Sequence, residues 1–256
     1  MIPLMAPRTS SVILLAATVA QVLVSGLIFS SGFSAATEGS APKALVPNLA
    51  TPAPYAFAIW GPIYLGAVIS ALLQLKPRLR DDPALARARP AVIFGCIACS
   101  VWIFAARYQF VLTAPIILVM YGALWTGLLR SIESKQRSST LVAYGVIAPL
   151  GLFTGWVGAA SFVNCGDLIF RYLPELAGDG LILALGIVAL AALAAIAMAV
   201  RSSAELFSIM AQIWALVAII ITNRQPQGYS AILAVSGIAI AALLAVTIIQ
   251  KRRAAA

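Results

Sequence analysis

The sequence predicts an all-α protein, a polytopic transmembrane bundle of about eight helices with both termini cytoplasmic. Three observations carry that expectation. Of the 256 residues, 62% are hydrophobic and only 10% charged, with a mean hydropathy of +1.01. A soluble domain carries roughly 25% charged residues, so this chain lacks the polar side chains to cover a water-facing surface. Apolar runs of spanning length, about 20 residues, recur along the chain. Lys and Arg concentrate on alternate connections, as the positive-inside rule requires.

Read against Pro, Gly and charge punctuation, the runs fall at about 11–31, 55–75, 90–109, 112–130, 140–163, 181–200, 204–222 and 229–250. The first follows Arg8 and precedes Ser34-Ala35-Ala36, so it also admits a cleaved signal peptide. Its apolar stretch, Val12 to Phe29, exceeds the usual 7 to 15 residues of such a peptide, and a retained helix is the expectation. Between the first two runs, Ser31 to Pro54 is a long outer loop of small residues and Pro, a candidate cover for the outer mouth of the bundle. After the second run, Lys76 to Pro90 reads as a compact basic inner loop against anionic headgroups. The third and fourth runs meet between Arg107 and Thr113, ahead of Pro115. One helix over 90–130 would be about 60 Å long at 1.5 Å per residue, twice the hydrocarbon thickness, so two helices are expected. The sixth run, Leu181 to Val200, contains no polar side chain, which excludes the alternating strands of a β-barrel.

With the N-terminus inside, the inner segments hold Arg8, Lys76, Arg78, Arg80, Arg87, Arg89, Arg130, Lys135, Arg137, Arg201, Lys251, Arg252 and Arg253. The outer segments hold only Lys43, Arg107, Arg171 and Arg224. The net charge of +9 is therefore topology rather than a nucleic-acid surface, and no nucleic-acid partner is expected. A multi-pass protein of the cytoplasmic membrane is.

Several chemistries are disfavoured. No His occurs, which removes the commonest metal ligand and the commonest general base. No Asp, Glu, Lys or Arg lies in the middle of a predicted span, although ion-coupled carriers and pumps place such groups there. Cys96 and Cys99 form a C-x-x-C on an apolar helix without a second pair, and read as packing residues rather than a zinc or redox site. Three Cys do not make a disulfide framework. No nucleophile and base pair is visible, so an enzyme is not expected, and neither a metal nor a required cofactor is.

Trp and Tyr usually anchor a helix at the membrane interface. Trp60, Trp102, Trp156 and Trp214 instead lie on four helices, each five to eight residues below the predicted outer boundary, about 8–12 Å deep. Phe57, Trp60 and Tyr64 share one helical face. Phe153, Trp156 and Asn164 lie on a stripe of the fifth span, and Cys99, Trp102 and Gln109 on one of the third. Trp214 accompanies Phe207 on the seventh, with Gln212 on a different face. Aromatics at one depth with amides above them describe an apolar pocket with orienting groups. They equally describe a packed bundle, and spacing does not separate the two.

The segment PYAFAIWGPIYLG, Pro54 to Gly66, resembles the signature of the tryptophan-rich sensory protein family, the TspO/MBR or translocator protein relatives. Further similarities are Trp102 followed by Phe104, the run GLFTGWVGAASFVN from Gly151 to Asn164, and QIWAL from Gln212 to Leu216. The likeness is to the longer bacterial branch, which implies a five-helix core at about 11–163 with additional helices at about 181–250, in one transmembrane domain over 1–256. Cys99 departs from the pattern, since relatives often have Asn there. The resemblance implies binding of porphyrins, or sterols in some relatives, within the core bundle.

The functional expectation is a membrane-embedded sensor or binding protein for a hydrophobic or amphipathic small molecule. Phe57, Trp60, Tyr64, Trp102, Phe153, Trp156 and Trp214 would line the pocket, with Gln109 and Asn164 at its mouth. A tetrapyrrole, if bound, would be metal-free, since no His can serve as an axial ligand. Membrane lipids are expected partners, and the Ala-rich sixth span with Gly186 is compatible with a homo-oligomer. The alternative is a transporter or permease for a neutral or hydrophobic compound.

Overall fold

A computed structural model describes residues 5–30, 44–203, 205–224 and 229–255. Eight helices long and apolar enough to cross a membrane are present among them, and no strand. We label their main α-helical segments α1 (Pro7–Phe29), α2 (Trp60–Leu73), α3 (Pro83–Tyr108), α4 (Thr113–Ser131), α5 (Ala148–Tyr172), α6 (Leu181–Arg201), α7 (Leu206–Asn223) and α8 (Ser230–Ala255); the second span starts at Pro54 and the fifth at Thr140. Large apolar side chains such as Leu27, Ile182 and Ile238 are exposed, as lipid contact allows. The chain forms two compact units, Met1–Ser40 with Trp60–Thr154 and Ala41–Ile59 with Gly155–Ala256. The division runs through α5.

In the first unit α1 packs on α3 and α2, and α3 packs antiparallel on α4. Small residues set that last approach: a Cβ at Gly127 would lie 2.7 Å from Val92 Cγ2. The turn between α3 and α4 is a short 3-10 helix, Phe110–Leu112, at the predicted place. α3 starts at Pro83, seven residues before the predicted boundary, because Asp82-Pro83 is a complete start signal. The Asp82 carboxylate accepts from Ala84 N (2.9 Å) and Leu85 N (3.1 Å), and from Ser134 Oγ (2.7 Å). Burial pushes its pKa up, but hydrogen bonds from Ser134, Leu85, Ala84 and Gln136 outweigh that and hold it below the usual carboxylate value.

The segment 76–90 is therefore not a basic loop. Pro77–Arg80 is a short helix, α3 follows at once, and Arg89 is 1% exposed. Its guanidinium donates inward rather than to headgroups.

Before α5 the chain forms Thr140–Val142 and a π turn, Ala143–Ile147. Pro149 cannot donate to the carbonyl of Gly145, so the helical ladder is interrupted here. Its ring packs where a Cβ at Gly66 would lie, 2.9 Å away. α5 then continues to Tyr172, nine residues past the predicted end.

In the second unit α8 packs on α6 and α7 around Phe170, Val188, Ile209 and Leu243. Of the predicted outer loop, residues 31–43 lie outside the described residues, as do Ser34–Ala36. The rest is anchored within this unit: Asn223 Nδ2 donates to Leu49 O (2.8 Å), Ala53 N donates to Ala218 O (3.2 Å), and Ala50 is fully buried. Asn48 Nδ2 donates to Asp167 Oδ1 at 2.8 Å. Its own Oδ1 accepts from Ala50 N at 3.0 Å. That part of the loop is a structural strap.

Candidate functional site: an aromatic cluster

α2 begins with Trp60, directly after a 3-10 turn, Pro54–Ile59, with Pro54 opening the turn and Pro62 in the first turn of the helix. Tyr64 follows one turn later, so the two rings stack at 5.3 Å. Trp102, brought by α3, stacks on Trp60 at 6.5 Å with the planes 29° apart. Phe153 of α5 meets Trp60 edge to face at 6.0 Å. Four of the predicted residues, Trp60, Tyr64, Trp102 and Phe153, thus form one cluster inside the first unit.

A face of α1 supplies polarity to that unit. Leu14, Thr18, Gln21, Ser25 and Ile28 recur at three- and four-residue spacing and are all buried. Tyr64 Oη donates to Ser25 Oγ at 2.8 Å. Two turns earlier, Thr18 Oγ1 lies 3.9 Å from Cys96 Sγ. Gln21 sits between these two contacts along the helix. Its side chain is fully buried, and neither Oε1 nor Nε2 has a hydrogen-bond partner among the described residues. An unpaired buried amide costs about 1–3 kcal/mol on mutational scales, so a group able to accept and donate would be stabilised there. A cavity of about 20 Å³, lined in part by Thr18, Ser70, Cys96 and Phe153, lies on the same side of α1. It is large enough for about one water.

The remaining predicted residues are placed differently. Gln109 does not continue the α3 stripe: the helix ends at Tyr108, Gln109 adopts φ −146° and ψ 64°, and its side chain is exposed. In the second unit Phe57 meets Trp156 edge to face at 5.7 Å, and Trp156 is buried. Trp214 pairs with Tyr55 at 5.2 Å and donates its Nε1 to Ala56 O at 2.9 Å, at 38% exposure. Its indole ties α7 to the 3-10 turn. Asn164 is half-buried on α5, and Gln212 is buried on α7.

Cys96 and Cys99 are buried free thiols. No group of three His, Cys, Asp or Glu that could hold a metal occurs among the described residues.

The polar face of α1 carries no charge and no aromatic ring, the two features that mark the other predicted sites. Its signal was available as Ser11, Thr18 and Ser25 at seven-residue spacing with Gln21 between. The pairing of Asn48 with Asp167, 119 residues apart, had none.

Eight spanning helices with an aromatic cluster entered from a Pro-rich turn define a polytopic helical membrane protein of the tryptophan-rich sensory type. The model of the TSPO-like protein family matches residues 11–249, and the chain belongs to that family. No curated protein and no solved structure was found to match it.

Proposed function

We propose that this protein binds a hydrophobic or amphipathic small molecule, porphyrin-like or otherwise apolar, against the aromatic cluster of its first unit, and serves as a sensor or accessory regulator in the cytoplasmic membrane. The observation that carries the reading is the Trp60, Tyr64 and Trp102 stack beside a face of α1 that bears the buried, unpaired Gln21 amide. Flat aromatic faces suit a planar apolar ligand. The Gln21 amide supplies both a donor and an acceptor for a polar substituent. Without any His in the chain, a metal-free tetrapyrrole fits better than haem.

Protoporphyrin titrated into the purified protein is expected to quench Trp fluorescence saturably. Trp60→Ala should weaken binding about twofold to more than tenfold, from roughly 0.5–1.5 kcal/mol for a ring contact at 1.4 kcal/mol per decade. Trp125→Ala is the control, because Trp125 packs on Tyr121 at 5.5 Å rather than in the cluster. Equal effects of the two substitutions in folded protein would remove the cluster as the site. Protein-dependent accumulation of the porphyrin inside vesicles would select a carrier instead.

Orientation is part of the same proposal. On a Cys-free background, Asp179→Cys is expected to label from outside the cell and Ser138→Cys only after the membrane is opened. The reverse pattern would invert the topology read from the Lys and Arg distribution.

A further inference from the structure

A second cleft lies wholly within the second unit, where α5 turns through the short helix Pro174–Ala177 into α6. Its volume is about 810 Å³, within the range of small-molecule sites. The walls are apolar, from Phe162 and Ile169 of α5 to Leu183 and Leu190 of α6. The only ionisable side chains among its lining are Cys165, Glu175 and Asp179. Glu175 and Asp179 are exposed, and both carboxylates stand at the rim of an apolar trough. Gly186 lines the trough, and a Cβ built on it would meet nothing within 4 Å among the described residues. The wall there is open space.

We propose that this cleft is a binding site for an amphipathic cation, an ammonium group on an alkyl or aryl body. The charge would pair with Glu175 and Asp179 while the body occupies the trough along Phe162, Gly186 and Leu190. No lining residue is a cation, so an anionic amphiphile of the same shape is repelled. A neutral one gains only the apolar contact. The site shares no residue with the aromatic cluster and stands independently of it.

Cys165 provides the readout. It lines the cleft and is partly exposed, whereas Cys96 and Cys99 are buried, so N-ethylmaleimide should alkylate Cys165 first. With the full-length protein in phosphatidylcholine nanodiscs, the rate is followed by intact mass in the presence of dodecylammonium or dodecanol. Dodecylammonium is expected to protect Cys165 at an about two- to tenfold lower concentration, as two solvent-exposed ion pairs would give. The difference should disappear in a Glu175→Gln, Asp179→Asn double variant. That variant keeps its fold, because Asn retains the oxygen that accepts from Leu181 N at 3.0 Å. Gly186→Phe, which fills the open wall, should abolish protection by dodecylammonium without lowering the unfolding temperature. Equal protection by the two probes, or a difference that persists in the double variant, would overturn the proposal. So would protection retained in Gly186→Phe, or a Cys165 unreactive before any addition, as when bilayer lipid or a second copy of the chain covers the cleft.

Discussion

Arg89→Met is expected to cost about 1–3 kcal/mol of stability, the range for leaving buried polar groups without their hydrogen-bond partner. The guanidinium is 1% exposed and every nitrogen is used. Nε donates to Gln74 Oε1 at 3.0 Å, and Nη1 to Ser10 Oγ at 3.3 Å and Pro7 O at 3.4 Å. Nη2 donates to Leu79 O at 2.8 Å and Arg80 O at 2.6 Å. One side chain therefore joins the start of α1, the connection after α2, the short helix Pro77–Arg80 and α3. Methionine fills the volume but makes none of these donations, and the buried Gln74 Oε1 loses its bond from Arg89. Arg89→Lys should recover only part of the loss, since an ammonium has three donors on a flexible stem and cannot reproduce the planar fork. Denaturant unfolding of the three proteins in detergent measures the series. A loss below about 1 kcal/mol for Arg89→Met would show that water satisfies the same acceptors.

Gly155→Ala is the second large effect, about 1–3 kcal/mol or more. A Cβ at position 155 would fall on the Ser208 carbonyl oxygen, 2.8 Å from Ser208 Cα and 2.9 Å from Ala211 Cβ. Backbone atoms cannot rotate away as a side-chain tip can. Ser208 is also held in place, because Glu205 caps the start of α7 by accepting from Phe207 N at 3.0 Å and Ser208 N at 2.7 Å. Relief must come from separating α5 and α7. Gly186→Ala on α6 is the matched comparison: nothing lies within 4 Å of its Cβ, and replacing a mid-helix glycine is expected to stabilise by about 0.5–1 kcal/mol. Thermal unfolding of both variants should shift in opposite directions. Two shifts of the same sign would mean that helix propensity, not the close approach, governs position 155.

Much of the candidate site was legible because it lies on single helices. The stack of Tyr64 on Trp60 follows from four-residue spacing alone, and the Pro-rich entry placed both at the start of α2. Gln109 leaves the α3 stripe for a local reason: a helical stripe holds only while the helix continues, and α3 stops one residue earlier. Arg89 was read as a topological charge because a Lys or Arg near a span end has the same sequence signature whether it meets lipid headgroups or folds inward.

The sequence by itself determined the eight spans and the family. A spanning helix satisfies its own backbone hydrogen bonds within one continuous apolar stretch, so its existence is a property of about 20 neighbouring residues. Tertiary structure alone decided which helical faces meet. It buried Arg89 and left the Gln21 amide unpaired on the inward face of α1. It brought Asn48 to Asp167, and it divided the predicted aromatic residues between two packing units. Those outcomes depend on contacts between segments far apart in the chain. In lipid, a helix gains no hydrophobic advantage from choosing one apolar face over another, so periodicity cannot encode them, and close packing at residues such as Gly155 and Gly127 selects the arrangement.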